Sequence, residues 1–155
     1  MEANVEESQD DRAKRWLAAV IEGLEEYAYE DQQVRILELC GESCAKYDLQ
    51  ELKRLKAEAR DQEELLALIN EHILWCGKWI WEKDYIHSIC KSCGCPLVRD
   101  CGLQLSPVFC LCSRGWVKAM FSEAFGREVE VDLSKAIGRG DDYCEFFVYL
   151  DRDAQ

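Results

Sequence analysis

Apolar residues begin to recur at helical spacing near Arg12. Trp16, Leu17, Val20, Ile21, Leu24 and Tyr27 form one stripe with acidic residues opposite, the pattern of an amphipathic helix. A second helical segment, 32–46, carries Val34, Ile36, Leu37, Cys40 and Cys44. Asp48, with Glu51 three residues later, reads as the capping box of a third helix. Asp61 reads as the cap of a fourth, running through Leu65, Leu66, Ile69, Ile73 and Cys76 towards Trp81.

The character changes near Ile89, where Gly94, Pro96, Gly102 and Pro107 punctuate the chain and alternation replaces the helical period. The stretch 108–112 reads as a strand. Segment 114–125 reads as a short helix with Val117, Met120, Phe121 and Ala124 on one face and Gly126 as its C-terminal cap. Segment 128–133 alternates, with Val129, Val131 and Leu133 inward, and 143–150 puts Cys144, Phe146, Val148 and Leu150 on one face. The order is helices first, then strand–strand–helix–strand–strand. That order predicts an α+β fold with an antiparallel sheet. The predicted organisation is an acidic tail over 1–11 and one domain over 12–155, with a helical half (12–89) and a cysteine-rich sheet half (90–150).

Charge changes the picture in one respect. The net charge is −12, and the excess is concentrated in residues 1–75, which carry 19 acidic and 9 basic side chains. An acidic chain repels phosphate backbones, so nucleic acid is not an expected partner. The first residues show no basic start followed by an apolar run, and the most apolar stretch, 65–81, is interrupted by Asn70, Glu71, His72 and Lys78. The expectation is a cytoplasmic chain with no membrane association, in a compartment where structural disulfides are rare. A homodimer is compatible with this reading.

Against that background the ten cysteines read as thiols rather than as a disulfide framework. Cys40 and Cys44, four apart in a helical segment, share a face. Cys110 and Cys112 share a face if 108–112 is a strand, as do Cys93 and Cys95 if Gly94 is extended. Two such pairs on neighbouring strands would bring four thiolates to one tetrahedral ion, which suits zinc. Cys144 and Cys90 are alternative ligands, and an iron–sulfur cluster or a redox dithiol are the alternatives to zinc. Cys76 and Cys144 also fit as small buried hydrophobes.

Other chemistry is sparser. His72 and Cys76, four apart on a predicted helix, have the spacing of a base–nucleophile pair or of two metal ligands, but also of a rim histidine above a core cysteine. No phosphate-loop, dinucleotide or nucleophile-elbow motif occurs. Gly138-Arg139-Gly140 reads as a turn with a solvated arginine, or as an anion contact at the sheet end. Trp75 and Trp79 share a predicted helical face and, with His72 and Trp116, are candidates to line an apolar ligand cavity between helix and sheet.

The run Cys110-Leu-Cys-Ser-Arg-Gly-Trp116, then Phe121, then Phe125-Gly-Arg-Glu-Val-Glu-Val131, then Gly138-Arg-Gly-Asp-Asp-Tyr-Cys144-Glu-Phe146 resembles the C-terminal part of the 4-vinyl reductase domain family. It is also similar to small cysteine-rich bacterial proteins grouped near the 2-aminothiazoline-4-carboxylate hydrolases. The first resemblance implies an α+β sandwich that binds small, often aromatic molecules and holds zinc through cysteines, with Cys144 and either Cys110 or Cys112 at ligand positions. A further family cysteine would fall near Ala136 or Ile137, so Cys93 and Cys95, or Cys40 and Cys44, would have to supply the missing ligand. The second resemblance implies hydrolysis of an amide or thiazoline ring. The leading expectation is a cysteine-rich, metal-binding, small-molecule-binding domain. A hydrolytic or redox enzyme and an interaction module docking through the acidic helices are the alternatives.

Overall fold

The chain folds as two long helices, two shorter ones, a single-turn helix and a four-stranded sheet, seen here in a computed structural model that describes residues 8–150. Helix α1 (Gln9–Tyr27) starts at Ser8, whose hydroxyl accepts from the Asp11 amide. Gln9, Asp10 and Asp11 thus lie in the helix and Ser8 caps it, while residues 1–7 of the expected tail lie outside the described residues. Helix α2 (Glu30–Glu58) is one continuous element. The two helices predicted here merge because nothing breaks the backbone around Asp48. The buried stripe Leu37, Gly41, Ala45, Leu52, Leu55 runs unbroken at helical spacing through the expected boundary.

Helix α3 (Gln62–His72) has the expected Asp61 cap, with Oδ1 accepting from the Glu64 amide at 2.8 Å. It stops earlier than predicted. The Asn70 side chain takes both hydrogen bonds of the Trp79 backbone, donating to its carbonyl and accepting from its amide, each at 2.8 Å. That clamp turns the chain back and starts strand β1 (Trp79–Trp81), which pairs with β2 (Tyr85–Cys90). The sheet thus begins inside the predicted helical half. His72 and Cys76, and Trp75 and Trp79, do not share a helical face.

A second correction concerns 108–112. The Ser106 hydroxyl accepts from the Phe109 amide, and Ser106-Pro107 opens a turn into helix α5 (Leu111–Phe125). Serine followed by proline is a helix-start signal that the apolar run Val-Phe-Cys-Leu-Cys obscured. A short helix, α4 (Pro96–Arg99), precedes it. Gly126 closes α5 in the left-handed conformation at φ 66°, as expected. Strands β3 (Glu130–Lys135) and β4 (Cys144–Tyr149) flank the short 3₁₀ turn Ile137–Arg139.

The sheet order is β1-β2-β4-β3, antiparallel throughout. This is the α+β architecture expected from the element order. Register places Ile86 opposite Val148, Ser88 opposite Phe146, and Cys90 opposite Cys144, so these side chains share the inner face. Helix α5 covers that face through Trp116, Val117, Met120, Phe121 and Ala124, and α2 packs over α5. The outer face carries the ring cluster Tyr85, His87, Phe147 and Tyr149. There Glu145 accepts from Ser134 Oγ at 2.7 Å and lies 3.1 Å from His87 Nε2. These partners, Ser134 first, hold the Glu145 carboxyl below the usual carboxylate range.

The α2–α5 crossing is made by glycine. A methyl on Gly41 would run into the Cys112 carbonyl and the Trp116 amide, and one on Gly115 would run into the Glu38 backbone. Each helix leaves out a side chain where the other's backbone passes. Gly115→Ala is expected to lower stability by roughly 2 kcal/mol or more, the scale of overpacking at a site that cannot relax, read as a fall in the urea midpoint at unchanged slope. A change within about 0.5 kcal/mol, the level of a neutral surface substitution, would show that the crossing is not tight.

Candidate functional site

Between α2, α5 and the inner sheet face lies a cavity of about 520 Å³, within the range of small-molecule sites. Five segments build it. Helix α2 supplies Cys44, Tyr47 and Asp48. The turn after α3 supplies Leu74, Trp75 and Cys76. The stretch 93–100 supplies Cys93 and Cys95 with Arg99 and Asp100. The chain around α5 supplies Phe109, Cys110, Cys112 and Trp116. The sheet supplies Leu133, Cys144 and Phe146, with Ile137 beside it.

The wall is aromatic and its polar atoms are largely spoken for. Trp75 and Trp116 stack with ring centres 4.7 Å apart and planes 8° apart, and Phe146 meets Trp75 edge-on at 5.4 Å. Trp116 Nε1 donates to Asp48 Oδ2 at 2.9 Å, and Trp75 Nε1 donates to the buried Ser88 hydroxyl at 3.3 Å. Asp48, expected as a helix cap, sits instead in mid-helix on the stripe facing α5 and orients a tryptophan ring. Arg99 and Asp100 pair with each other, and Arg139 donates to the Leu133 carbonyl rather than standing free.

Six free thiols line the cavity: Cys44, Cys93, Cys95, Cys110, Cys112 and Cys144. Of the other predicted ligands, Cys40 is exposed on α2 and does not line it, and Cys90 is fully buried and disulfide-bonded to Cys76. That bond departs from the all-thiol expectation, removes Cys90 from the ligand candidates, and removes Cys76 as a nucleophile partner for the half-exposed His72. The two Cys-x-Cys pairs do not lie on neighbouring strands. Cys93 and Cys95 are in irregular chain, Cys110 is the first residue before α5, and Cys112 is in its first turn. Among the described residues no group of three or more histidine, cysteine or carboxylate side chains is arranged to hold a metal ion. Strand alternation therefore does not bring the two Cys-x-Cys pairs together.

Of the predicted pocket residues, Trp75 and Trp116 line the cavity. Trp79 is buried behind them against Phe121, and His72 lies outside. Among the cavity residues that sequence reasoning left unassigned are Asp48, Phe109, Leu133 and Phe146. Phe146 and Leu133 were recognised as inward-facing, but nothing in their spacing says that the space beside them is empty.

Burial sets the chemistry of the thiols. It pushes Cys110 up to about 11 and Cys112 up to about 12, and it raises Cys44, Cys93 and Cys95 as well. Neighbouring sulfurs add to the rise at Cys112. A raised folded-state pKa favours the neutral thiol, so these groups are protonated at neutral pH and are not activated nucleophiles. Their contribution to stability is complete below the ordinary thiol value of 9.0 and is lost as pH rises through the folded-state values. Unfolding free energy is therefore expected to fall as pH rises from 9.0 towards about 12, and Cys112→Ala to flatten that slope in denaturant titrations. An unchanged slope would contradict the assignment. In the native protein at neutral pH, iodoacetamide is expected to label exposed Cys40 before Cys110 or Cys112, as read by peptide mass mapping. Faster labelling of Cys112 would show an activated thiolate.

No described helix is long and apolar enough to cross a membrane. No curated protein matches the chain. Among solved structures, the chain is similar to the phenol-responsive sensory domain of the transcription activator PoxR, solved with phenol. The TM-score is 0.59 at 14% identity, over 88% of this chain and 73% of that one. At that identity the likeness is one of fold, and it agrees with the α+β layout implied by the 4-vinyl reductase resemblance. A family model matches residues 2–153, nearly the whole length, and the chain belongs to that family, described as a family of unknown function (DUF6144).

Proposed function

We propose that this domain binds a small, largely apolar aromatic molecule in the cavity between α2, α5 and the sheet. The observation that carries the reading is the stacked Trp75–Trp116 pair, facing an otherwise apolar space of about 520 Å³. A pocket of this kind rewards a flat, weakly polar ligand. Stacking on a fixed ring costs little side-chain entropy, and few polar wall atoms lose water without compensation. Asp48 supplies the specific contact. One of its oxygens is engaged by Trp116, and the carboxylate retains acceptor capacity for a ligand hydroxyl. A phenol-type ligand satisfies both requirements. The similarity of fold to a phenol-responsive domain supports the same class of ligand.

The hydrolytic reading finds less support. The cavity thiols lack the adjacent base that a cysteine nucleophile needs, and His72 does not line the cavity. Thiols suit a binding wall better: they are small and polarisable, and they make favourable contacts with aromatic rings.

Isothermal titration of phenol and substituted monocyclic phenols into the purified protein is expected to show saturable one-site binding. Asp48→Asn is expected to weaken it by about five- to tenfold, the scale of the difference between a hydrogen bond to a charged acceptor and one to a neutral acceptor. Trp116→Ala is expected to weaken it more. Absence of saturable binding for the whole panel, with circular dichroism showing a folded protein, would overturn the proposal.

A further inference from the structure

The Cys76–Cys90 disulfide is flanked by a free thiol in a position that its two halves do not share. Cys90 stands directly across the β2–β4 ladder from Cys144, on the same inner face. Directly opposed residues of an antiparallel pair have Cα atoms about 4.5–5.5 Å apart, within the span of a disulfide. Cys76 enters from the other side, on the turn after α3, with its Cα 5.0 Å from that of Cys90. Cys90 is thus within bonding reach of two cysteines, one on a turn and one on a strand. Cys144 is free and lines the cavity, where its sulfur accepts the Ile137 amide at 3.4 Å. Cys76 also lines the cavity, and Cys90 does not.

We propose that Cys76, Cys90 and Cys144 form an internal thiol–disulfide exchange site, in which one bond moves between Cys76–Cys90 and Cys90–Cys144. The Cys144 thiolate attacks Cys90 Sγ. The Cys144–Cys90 bond forms and the Cys90–Cys76 bond breaks, with its electron pair leaving on Cys76. Cys76 takes up one proton from solvent, matching the one Cys144 lost. The step is redox-neutral and needs no external oxidant or reductant. Its products differ in kind. In one state the turn bearing Trp75 and Cys76 is tied to the sheet. In the other that turn is released, and the free thiol on the cavity wall is Cys76, next to Trp75, in place of Cys144. Gly94 explains why the turn can seat so close: a methyl there would press on Cys76 Cβ and Sγ at 2.9 and 3.1 Å. The proposal does not depend on the identity of any cavity ligand.

The test is disulfide mapping of the full chain. Native protein is incubated with a reduced and oxidised glutathione mixture at mildly alkaline pH, quenched in acid, alkylated with N-ethylmaleimide and digested at low pH. Both Cys76–Cys90 and Cys90–Cys144 cross-linked peptides are expected in the wild type. Cys144→Ser is expected to lose the second and keep the first. Cys76→Ser, with oxidised glutathione as oxidant, is expected to give Cys90–Cys144 as its main internal bond. A wild type showing only Cys76–Cys90, or no bond at Cys90, overturns the proposal whatever the variants show. So does Cys76 recovered bonded to Cys93 or Cys95 in place of exchange at Cys90. The wild-type arm involves no substitution, so a variant that fails to fold leaves the test intact.

Discussion

The backbone-to-backbone crossing of α2 and α5 at Gly41 and Gly115 is the constraint from which the site follows. Because neither helix carries a side chain at the crossing, the two approach until the Cys112 carbonyl and Glu38 backbone set the limit. That fixes Asp48, two turns along α2 from Gly41, against Trp116 of α5, and their hydrogen bond at 2.9 Å holds the ring in one orientation. The salt bridge from Arg114 to Glu38 flanks the same contact. On its other face α5 lies on the sheet, so the helix that seals the core also forms one wall of the cavity. A wider crossing would let α5 tilt and would break the Trp75–Trp116 stack.

How far this was legible in the sequence differs by element. Alternation in 128–133 and 143–150 gave the inward faces of β3 and β4 correctly, because one side of that sheet is buried and period-two patterning survives. The Asp61 and Gly126 caps were readable because each is a local hydrogen bond or a local backbone conformation. Three readings failed, two where a contact beyond the local segment decided the outcome and one where a local start signal was masked by an apolar run. Asp48 has the composition of a cap and sits mid-helix, satisfied by Trp116, which is 68 residues away. Helix α3 ends because Asn70 grips the backbone of Trp79, a contact made only once the chain has turned. The 108–112 run has strand-like composition and forms a helix entrance, with Ser106 and Pro107 deciding it.

The cysteines show the same division. Their clustering in sequence does correspond to clustering in space, since six of them line one cavity. Spacing could not say whether they would point at one ion or be distributed around a wall, because Cys93 and Cys95 lie in irregular chain where neither periodicity applies. Nor could it reveal that Cys76 and Cys90, fourteen residues apart, become bonded. Trp75 and Trp116 were recognisable as aromatic candidates, and the empty space beside them was not. A cavity is a property of what several segments fail to fill.

The function proposed for this domain requires that space to be a ligand site rather than a packing defect. The most direct measurement is a phenol titration of isotopically labelled protein, following the indole N–H resonances of all five tryptophans. Saturable shifts concentrated at Trp75 and Trp116, with exposed Trp16 unmoved, are the predicted result. Shifts confined to Trp16 or to residues of the outer sheet face, with Trp75 and Trp116 unchanged at saturation, would contradict it.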